Sequence, residues 1–241
     1  MHICRGDLLA SYEAAGLLPS AAKGIAFAGG GGKTSSLYRL AAEYAAKGER
    51  VCVSTTTRME KPDGNWLSAR RDLPQDPVPG KVYVAGADVH PVKIGPPDFL
   101  DALPQLFDRV LLETDGAKRM PVKVPAENEP IVPPWTDALV VVAGLSALEK
   151  PLQEVCFRIR QVTEILNKSP EDTLGVQDLA TLLREGYGKP WLSCYPGGIV
   201  LNQADTPRAL ALAKEIALLL PEYSVVAQYL LPAYRYGFRR P

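Results

Sequence analysis

The stretch GGGGKT, residues 29–34, contains the residue types best suited to chemistry in this sequence. Glycines let backbone N–H groups converge on one point, Lys33 can reach a phosphate oxygen, and the hydroxyl of Thr34 can coordinate Mg²⁺. The usual phosphate-binding loop is written G-x-x-x-x-G-K-[ST], and Phe27 stands where its first glycine should be. The strict motif therefore fails, although the chemical groups that it supplies are present.

The flanking residues predict the strand and the helix that a phosphate-binding loop needs. Residues 24–28 read as a short buried strand, and residues 34–44 carry apolar side chains at helical spacing. What remains is a shortened loop, G-x-x-G-K-T, of the kind found in Mur ligases and some other nucleotide-binding enzymes. We expect Lys33 to reach the β- and γ-phosphates and Thr34 to bind Mg²⁺, and the alternative is a flexible glycine-rich turn. The residues expected to cradle the phosphates are Gly29, Gly30, Gly31, Gly32, Lys33, Thr34 and Ser35.

The composition argues against a broad electrostatic role. Of the 241 residues, 46% are hydrophobic and 22% are charged, as in ordinary soluble proteins. Basic and acidic residues both number 27, so the zero net charge predicts neither a nucleic-acid nor a membrane partner. Four separated cysteines and two histidines indicate neither a disulfide framework nor a zinc site. Because residues 1–20 lack the features of a signal peptide, we expect a cytoplasmic protein.

Apolar strands alternate with helical segments along most of the chain. Strands are predicted at residues 24–28, 50–54, 82–85, 109–112, 138–143, 198–201 and 224–227, and helices at 6–18, 34–44, 98–107, 176–184 and 206–220. This alternation predicts an α/β fold of the P-loop NTPase type, with a mostly parallel sheet covered by helices on both faces. We expect one domain over residues 1–241, with a Pro/Gly-rich insertion near 60–95. The segment near 149–186 should be helical, with an N-cap at Thr163.

Polar side chains follow several of these strands, at the edge where open parallel sheets bind ligands. Either Asp115 or Glu113 is the expected partner of Thr34, because P-loop proteins use a carboxylate at a strand end to hold Mg²⁺ or to orient water. We assign the metal to Asp115 and the attacking nucleophile or water to Glu113. Thr55, Thr56 and Thr57 can supply a further Mg²⁺ or phosphate contact, or they can be ordinary strand residues.

Residues 202–205, with the sequence NQAD, resemble the N-K-x-D element by which many GTPases read guanine. In this reading Asn202 and Asp205 contact the base, with Asp205 taking the two ring donors. Gln203 replaces the lysine that normally lies along the base, so the pattern favours GTP over ATP only weakly. A plain strand-to-helix loop is the alternative.

A family resemblance rests on residues 115–130, DGAKRMPVKVPAENEP, together with the glycine loop, the TTT run at 55–57 and GLSALEKPL at 144–152. With these residues the chain resembles the YqeC-type family of selenium-dependent hydroxylase accessory proteins, also described as selenium cofactor biosynthesis proteins. The resemblance implies a cytoplasmic P-loop protein that uses Mg²⁺ with ATP or GTP and assists the maturation of selenium-dependent molybdenum hydroxylases. A histidine is common in the family where this chain has Asn128.

Three cations, Lys118, Arg119 and Lys123, directly follow the carboxylates at this strand end. A cationic pocket beside a γ-phosphate suits a second anionic substrate, such as a selenophosphate-derived species or the phosphate of a molybdopterin-type cofactor. We expect Arg119 and Lys123 to contact that substrate. The alternative is a solvated charged loop stiffened by its prolines.

Three functional hypotheses follow from these patterns. The first is a Mg²⁺-dependent nucleoside triphosphatase or transferase acting in maturation of the selenium-containing cofactor, with Lys33, Glu113, Asp115, Arg119 and Lys123 as its catalytic residues. The second is a nucleotide-dependent switch or chaperone that binds the apo molybdenum hydroxylase. The third is a Mur-like ligase, which is motivated only by the shortened loop.

Overall fold

Eight parallel strands form the main sheet of the protein. The structure is a computed structural model, which describes residues 1–4 and 7–229. The strands are β1 (His2–Cys4), β2 (Gly24–Gly29), β3 (Val51–Thr55), β4 (Met59–Glu60), β5 (Val82–Val84), β6 (Ala87–His90), β7 (Lys93–Gly95), β8 (Arg109–Glu113), β9 (Val122–Lys123), β10 (Ala138–Gly144), β11 (Cys156–Phe157), β12 (Gly197–Asn202) and β13 (Ser224–Gln228). The order of the main sheet is β1-β13-β12-β10-β2-β8-β3-β5. The predicted α/β class and parallel sheet are confirmed, and β2 lies centrally between β10 and β8.

Helices cover both faces of this sheet. They are α1 (Leu8–Ala14), α2 (Lys33–Ala46), α3 (Leu103–Leu106), α4 (Leu152–Val155), α5 (Ile159–Leu166), α6 (Val176–Leu183) and α7 (Pro207–Leu219). Side chains alternate along β2, so Ile25 and Phe27 pack in the cluster that contains α1 and α2. Ala26 and Ala28 face the opposite cluster, which contains α5, α6 and α7. Because both faces are buried, these strands read as continuous apolar runs in the sequence.

The Pro/Gly-rich stretch near residues 60–95 contains the strand predicted at 82–85, which is β5, and three further short strands, β4, β6 and β7. β5 pairs with β3 and extends the main sheet by one edge strand. β4, β7 and β6 form a separate antiparallel sheet. These strands have two to four residues each, which is too short for an alternating pattern to stand out in the sequence. A second small sheet pairs β9 with β11 in parallel.

One predicted helix start is confirmed and one is wrong. α7 begins after Thr206, whose side chain accepts a hydrogen bond from the Ala209 N–H, and Pro207 occupies its first turn. Thr163 is not an N-cap, because it lies inside α5 and its hydroxyl donates to the Ile159 carbonyl at 3.0 Å. α6 is continued by a π-helix over Arg184–Leu192, which the sequence did not indicate. Within the described ranges, no helix has the length and apolar character needed to cross a membrane.

Candidate functional site

The glycine loop joins β2 to α2 and packs tightly against its neighbours. A Cβ atom at Gly29 would lie 2.2 Å from the Val142 carbonyl oxygen, and one at Gly31 would lie 2.3 Å from the Gly144 nitrogen. A Cβ atom at Gly32 would lie 2.2 Å from Asn202 Nδ2. The glycines therefore have a structural reason of their own, which is the close approach of the loop to β10 and to the end of β12.

The backbone N–H groups of the loop divide into two sets. Those of Gly29, Gly30 and Gly31 donate to the protein itself: to the Asp115 carboxylate, to Val142 O at 2.8 Å and to Met120 O at 3.2 Å. For residues 32–35, no acceptor of the backbone N–H lies in the part of the chain that the structure describes, and Gly32 caps α2 without a side-chain hydrogen bond. The N–H groups of residues 29–31, which were expected to bind phosphate, are already hydrogen-bonded within the protein. The donors left for an anion are therefore the N–H groups of residues 32–35 at the start of α2.

Lys33 lies in the first turn of α2 and is folded back toward the loop. Its ammonium donates to the Gly29 carbonyl at 2.5 Å and lies 3.0 Å from Asp115 Oδ1. The side chain is only 5% exposed. The structure thus holds the Lys33 ammonium against the Gly29 carbonyl, with Asp115 as its counter-ion.

The Asp115 carboxylate is completely enclosed by donors and cations. It accepts from the Gly29 N–H, from the Tyr187 hydroxyl at 2.9 Å and lies 3.1 Å from Lys123 Nζ. Burial alone would raise the pKa of Asp115, but Lys33, Lys123 and the Gly29 N–H outweigh burial and lower it. Asp115 is therefore an ionised internal counter-ion for two lysines.

Glu113 makes the contact with Thr34 that was expected of one of the two carboxylates. Its Oε2 atom accepts a hydrogen bond from the Thr34 hydroxyl at 2.6 Å. Burial raises the pKa of Glu113, and Lys33 and the Thr34 hydroxyl offset only part of that effect. The expected pairing of Asp115 with Thr34 is not found: the carboxylate that contacts the Thr34 hydroxyl is that of Glu113.

Thr55 and Thr56 hold backbone groups at the ends of strands. The Thr55 hydroxyl donates to the Glu113 carbonyl at 2.8 Å, and the Thr56 hydroxyl donates to the Ile131 carbonyl at 2.7 Å. The structure therefore favours the alternative in which these threonines are structural. The hydroxyl of Thr57, the third residue of this run, is buried and has no hydrogen-bond partner among the described residues.

The two cations predicted to contact a second substrate have different environments. Lys123 is fully buried, with its ammonium 2.5 Å from Glu129 Oε2 as well as 3.1 Å from Asp115 Oδ2. Neither contact has hydrogen-bond geometry, so charge attraction joins these groups. Arg119 is exposed and pairs with Glu60 on β4. Lys123 therefore cannot meet a substrate directly, and its predicted role is corrected to that of a buried counter-ion.

At the end of β12, Asn202 is tied to the glycine loop. Its side-chain amide donates to the Gly31 carbonyl at 2.7 Å, and its oxygen accepts from Gln228, which also donates to the Ser36 hydroxyl. Asp205 is exposed at the same edge of the sheet. The structure brings Asn202 to the loop, and it gives Asp205 no comparable contact with the loop residues.

Sequence reasoning missed the residues that complete the ion network. Glu129 Oε2 pairs with Lys123 and accepts from Arg158 at 2.7 Å, so a continuous chain of charges runs from Lys33 to Arg158. Tyr187 belongs to the π-helix, far from Asp115 in sequence, and no local pattern marks it. The backbone φ angle of Arg158 is 70°, which is uncommon for a residue other than glycine and is not revealed by the sequence.

Taken together, the fold and this edge define an α/β protein with a central parallel sheet and a glycine loop whose lysine and carboxylates meet at one helix start. The family model described as "YqeC protein" matches residues 25–160. The chain is also 35% identical over 175 residues to the "Uncharacterized protein YqeC" of Escherichia coli (strain K12), which covers 68% of each chain. The chain therefore belongs to the YqeC family, as the resemblance in sequence predicted. Tyr187 and Asn202 lie outside the matched range.

Proposed function

We propose that the protein binds a nucleoside triphosphate, ATP or GTP, with Mg²⁺ at the start of α2. In this proposal the N–H groups of residues 32–35 and the Lys33 ammonium bind the phosphates. The proposed ligands of Mg²⁺ are the Thr34 hydroxyl and the Glu113 carboxylate, both hard oxygen donors that Mg²⁺ prefers. The bound metal would neutralise charge on the phosphates during hydrolysis or transfer.

The observation that carries this proposal is the contact between Thr34 and Glu113, which lies at a helix start whose N–H groups have no acceptor among the described residues. A hydroxyl and a carboxylate in contact supply two oxygen ligands from two different elements, α2 and β8. The donors for an anion and the ligands for a cation are thus adjacent, as a metal–phosphate complex requires.

Lys33 would have to exchange one partner for another when phosphate binds. Its ammonium now contacts the Gly29 carbonyl and Asp115. If it turned to the phosphate, Asp115 would keep Lys123, the Tyr187 hydroxyl and the Gly29 N–H as partners. Because the carboxylate remains compensated, this exchange does not leave an unpaired buried charge.

For the biological role, we propose that nucleotide turnover by this protein in the cytoplasm serves maturation of the selenium-containing cofactor of molybdenum hydroxylases. The support is membership of the YqeC family together with the resemblance of residues 115–130 to accessory proteins of selenium-dependent hydroxylases. The partners in this proposal are the nucleotide, a selenophosphate-derived or molybdopterin-type anion, and the apo-hydroxylase. Selenium content of the hydroxylase, compared in cells with and without this protein, measures that role; equal contents would contradict it.

The first experiment is the melting temperature of the full chain with Mg²⁺ and ATP, GTP or their non-hydrolysable analogues. A ligand that binds only the folded state raises the melting temperature by mass action, and a concentration of 100 times Kd stabilises by about 2.7 kcal/mol. We expect one nucleotide to give the larger shift and Lys33→Ala to abolish it. Lys47→Ala, which alters an exposed lysine at the other end of α2, is the matched control and should keep the shift. No shift with either nucleotide would refute the proposal.

A further inference from the structure

Three cations surround one partly buried aromatic ring next to the nucleotide edge. β9 and β11 pair so that Lys123 lies opposite Phe157. From the centroid of the Phe157 ring, Lys118 Nζ lies at 5.2 Å, Arg158 Cζ at 5.2 Å and Lys123 Nζ at 5.9 Å. The ring face attracts cations, which lets several approach it despite their mutual repulsion.

Carboxylates balance only part of this positive charge. Glu129 is shared between Lys123 and Arg158, and Asp115 is shared between Lys123 and Lys33. In the residues that the structure describes, Lys118 has no carboxylate within ion-pair distance. The surroundings of Phe157 therefore carry an excess of positive charge. The solvent-exposed part of this charge is the Lys118 ammonium.

The Arg158 guanidinium also retains an unused donor. One of its nitrogens, Nη2, donates to Glu129, whereas the Nε–H is buried and meets no acceptor in the described part of the chain. A buried N–H donor without an acceptor is unfavourable, so most are paired in folded proteins. Lys118 and Arg158 both hold positive φ angles, of 48° and 70°, although neither is glycine. Residues of this kind cluster at functional sites.

From this cluster we infer that Lys118 and Arg158, beside Phe157, bind a small oxyanion of the phosphate class. Guanidinium N–H groups match the spacing of phosphate oxygens, and the lysine adds a second charge from the exposed side. This inference rests on the proposed function, since it locates the second anionic substrate of the same edge. It assigns that contact to Lys118 and Arg158, and it leaves Lys123 as the buried cation behind them.

The test is calorimetric titration of inorganic phosphate, without Mg²⁺ or nucleotide, into the full chain and its variants. We expect Lys118→Met to weaken phosphate binding about tenfold, the value of one charge-assisted hydrogen bond. Arg158→Lys keeps the charge but removes the Nε–H, and it should weaken binding similarly. The matched control is Lys81→Met, because Lys81 is also an exposed lysine over a single ring, 4.8 Å from the centroid of Tyr83. This variant should bind phosphate as the wild type does.

Three outcomes would overturn the inference: no phosphate binding by the wild type, equal affinities of the Lys118→Met and Lys81→Met variants, or loss of binding only in Lys33→Ala, which would place the phosphate at the start of α2. A phosphate monoester such as phenyl phosphate, titrated in parallel, separates two sources that both support the site. Tighter binding of the ester indicates a phosphate carried on a larger substrate, and tighter binding of inorganic phosphate indicates a free oxyanion. Failure of this inference alone would leave the nucleotide-dependent melting shift of the wild-type chain intact, whereas failure of the proposed function would abolish that shift.

Discussion

Glu113 and Asp115 leave the same strand end two residues apart, yet their carboxylates meet opposite surroundings. Asp115 lies among two ammonium groups, a backbone N–H and a tyrosine hydroxyl, and its pKa is lowered. Glu113 contacts one threonine hydroxyl, and burial raises its pKa. Two acids whose environments displace their pKa values in opposite directions commonly have different roles.

This contrast indicates which of the two carboxylates is available to contact a ligand. Asp115 has no exposed surface and its oxygens are occupied, so it stabilises the arrangement of Lys33 and Lys123. Glu113 is slightly exposed, at 7%, and shares its hydrogen bond with the side chain that opens α2. Asp115 therefore acts on the site through the two lysines that it holds, whereas Glu113 is the carboxylate left for the proposed metal.

The largest effect should come from removing the charge of Asp115. Asp115→Asn leaves Lys33 and Lys123 without their shared carboxylate, and breaking a buried ion pair costs about 3–5 kcal/mol. Urea unfolding followed by circular dichroism measures this loss. The matched variant Glu113→Gln removes the other carboxylate and should cost less than about 1 kcal/mol, because burial already disfavours its charge. Similar losses in both variants would contradict the distinction drawn between these two acids.

A smaller loss is expected when Tyr187 is changed. Tyr187→Phe removes only the hydroxyl that donates to Asp115, and a hydrogen bond to a charged group is worth about 1.5–3 kcal/mol. The free energy of unfolding should fall by that amount. Tyr195→Phe, in a partly buried tyrosine just beyond the same π-helix, provides the control and should be nearly neutral. If the two variants were equally stable, the Tyr187 hydroxyl would contribute nothing to the ionised state of Asp115.

Changing Glu113 should weaken nucleotide binding in the presence of Mg²⁺ more than in its absence. Glu113→Gln is expected to weaken the Mg²⁺-dependent part of nucleotide binding about tenfold, since a neutral amide oxygen is a poorer ligand than a carboxylate. Binding measured with EDTA in place of Mg²⁺ should be the same in wild type and variant, which provides an internal control. An equal loss with and without Mg²⁺ would assign Glu113 to the phosphate site or to folding.

The helices and strands of the fold could be predicted from the sequence more completely than the contacts of individual side chains. Long apolar runs such as β10 and the helical spacing of α2 are local signals, and both elements were found where the sequence placed them. The sequence also predicts that one edge of the sheet carries the loop, Lys33, Thr34 and Glu113, because these residues follow the ends of parallel strands. The burial of Lys123 and its pairing with Glu129 depend on how a proline-rich segment crosses the loop, and Tyr187 arrives from a π-helix that has no sequence pattern. Such contacts arise from tertiary packing, which single-sequence patterns do not encode.

The smallest expected effect is a difference in how stability depends on pH. The folded-state pKa of Glu113 is raised above its ordinary value of 4.5, so the folded state binds this proton more tightly than the unfolded state does. The resulting stabilisation is complete below the ordinary value and is lost as pH rises through the folded pKa. Asp115 acts in the opposite direction, because its lowered pKa gives stability above 3.8 that is lost as pH falls.

Glu113→Gln lacks the first contribution and keeps the second. The unfolding free energy of wild type relative to this variant should therefore decrease as pH rises from about 4 to about 7. Urea unfolding at intervals across that range measures the difference directly. A difference that stays constant with pH would mean that Glu113 titrates alike in the folded and unfolded states, and its burial against Thr34 would then not distinguish it from a solvated carboxylate.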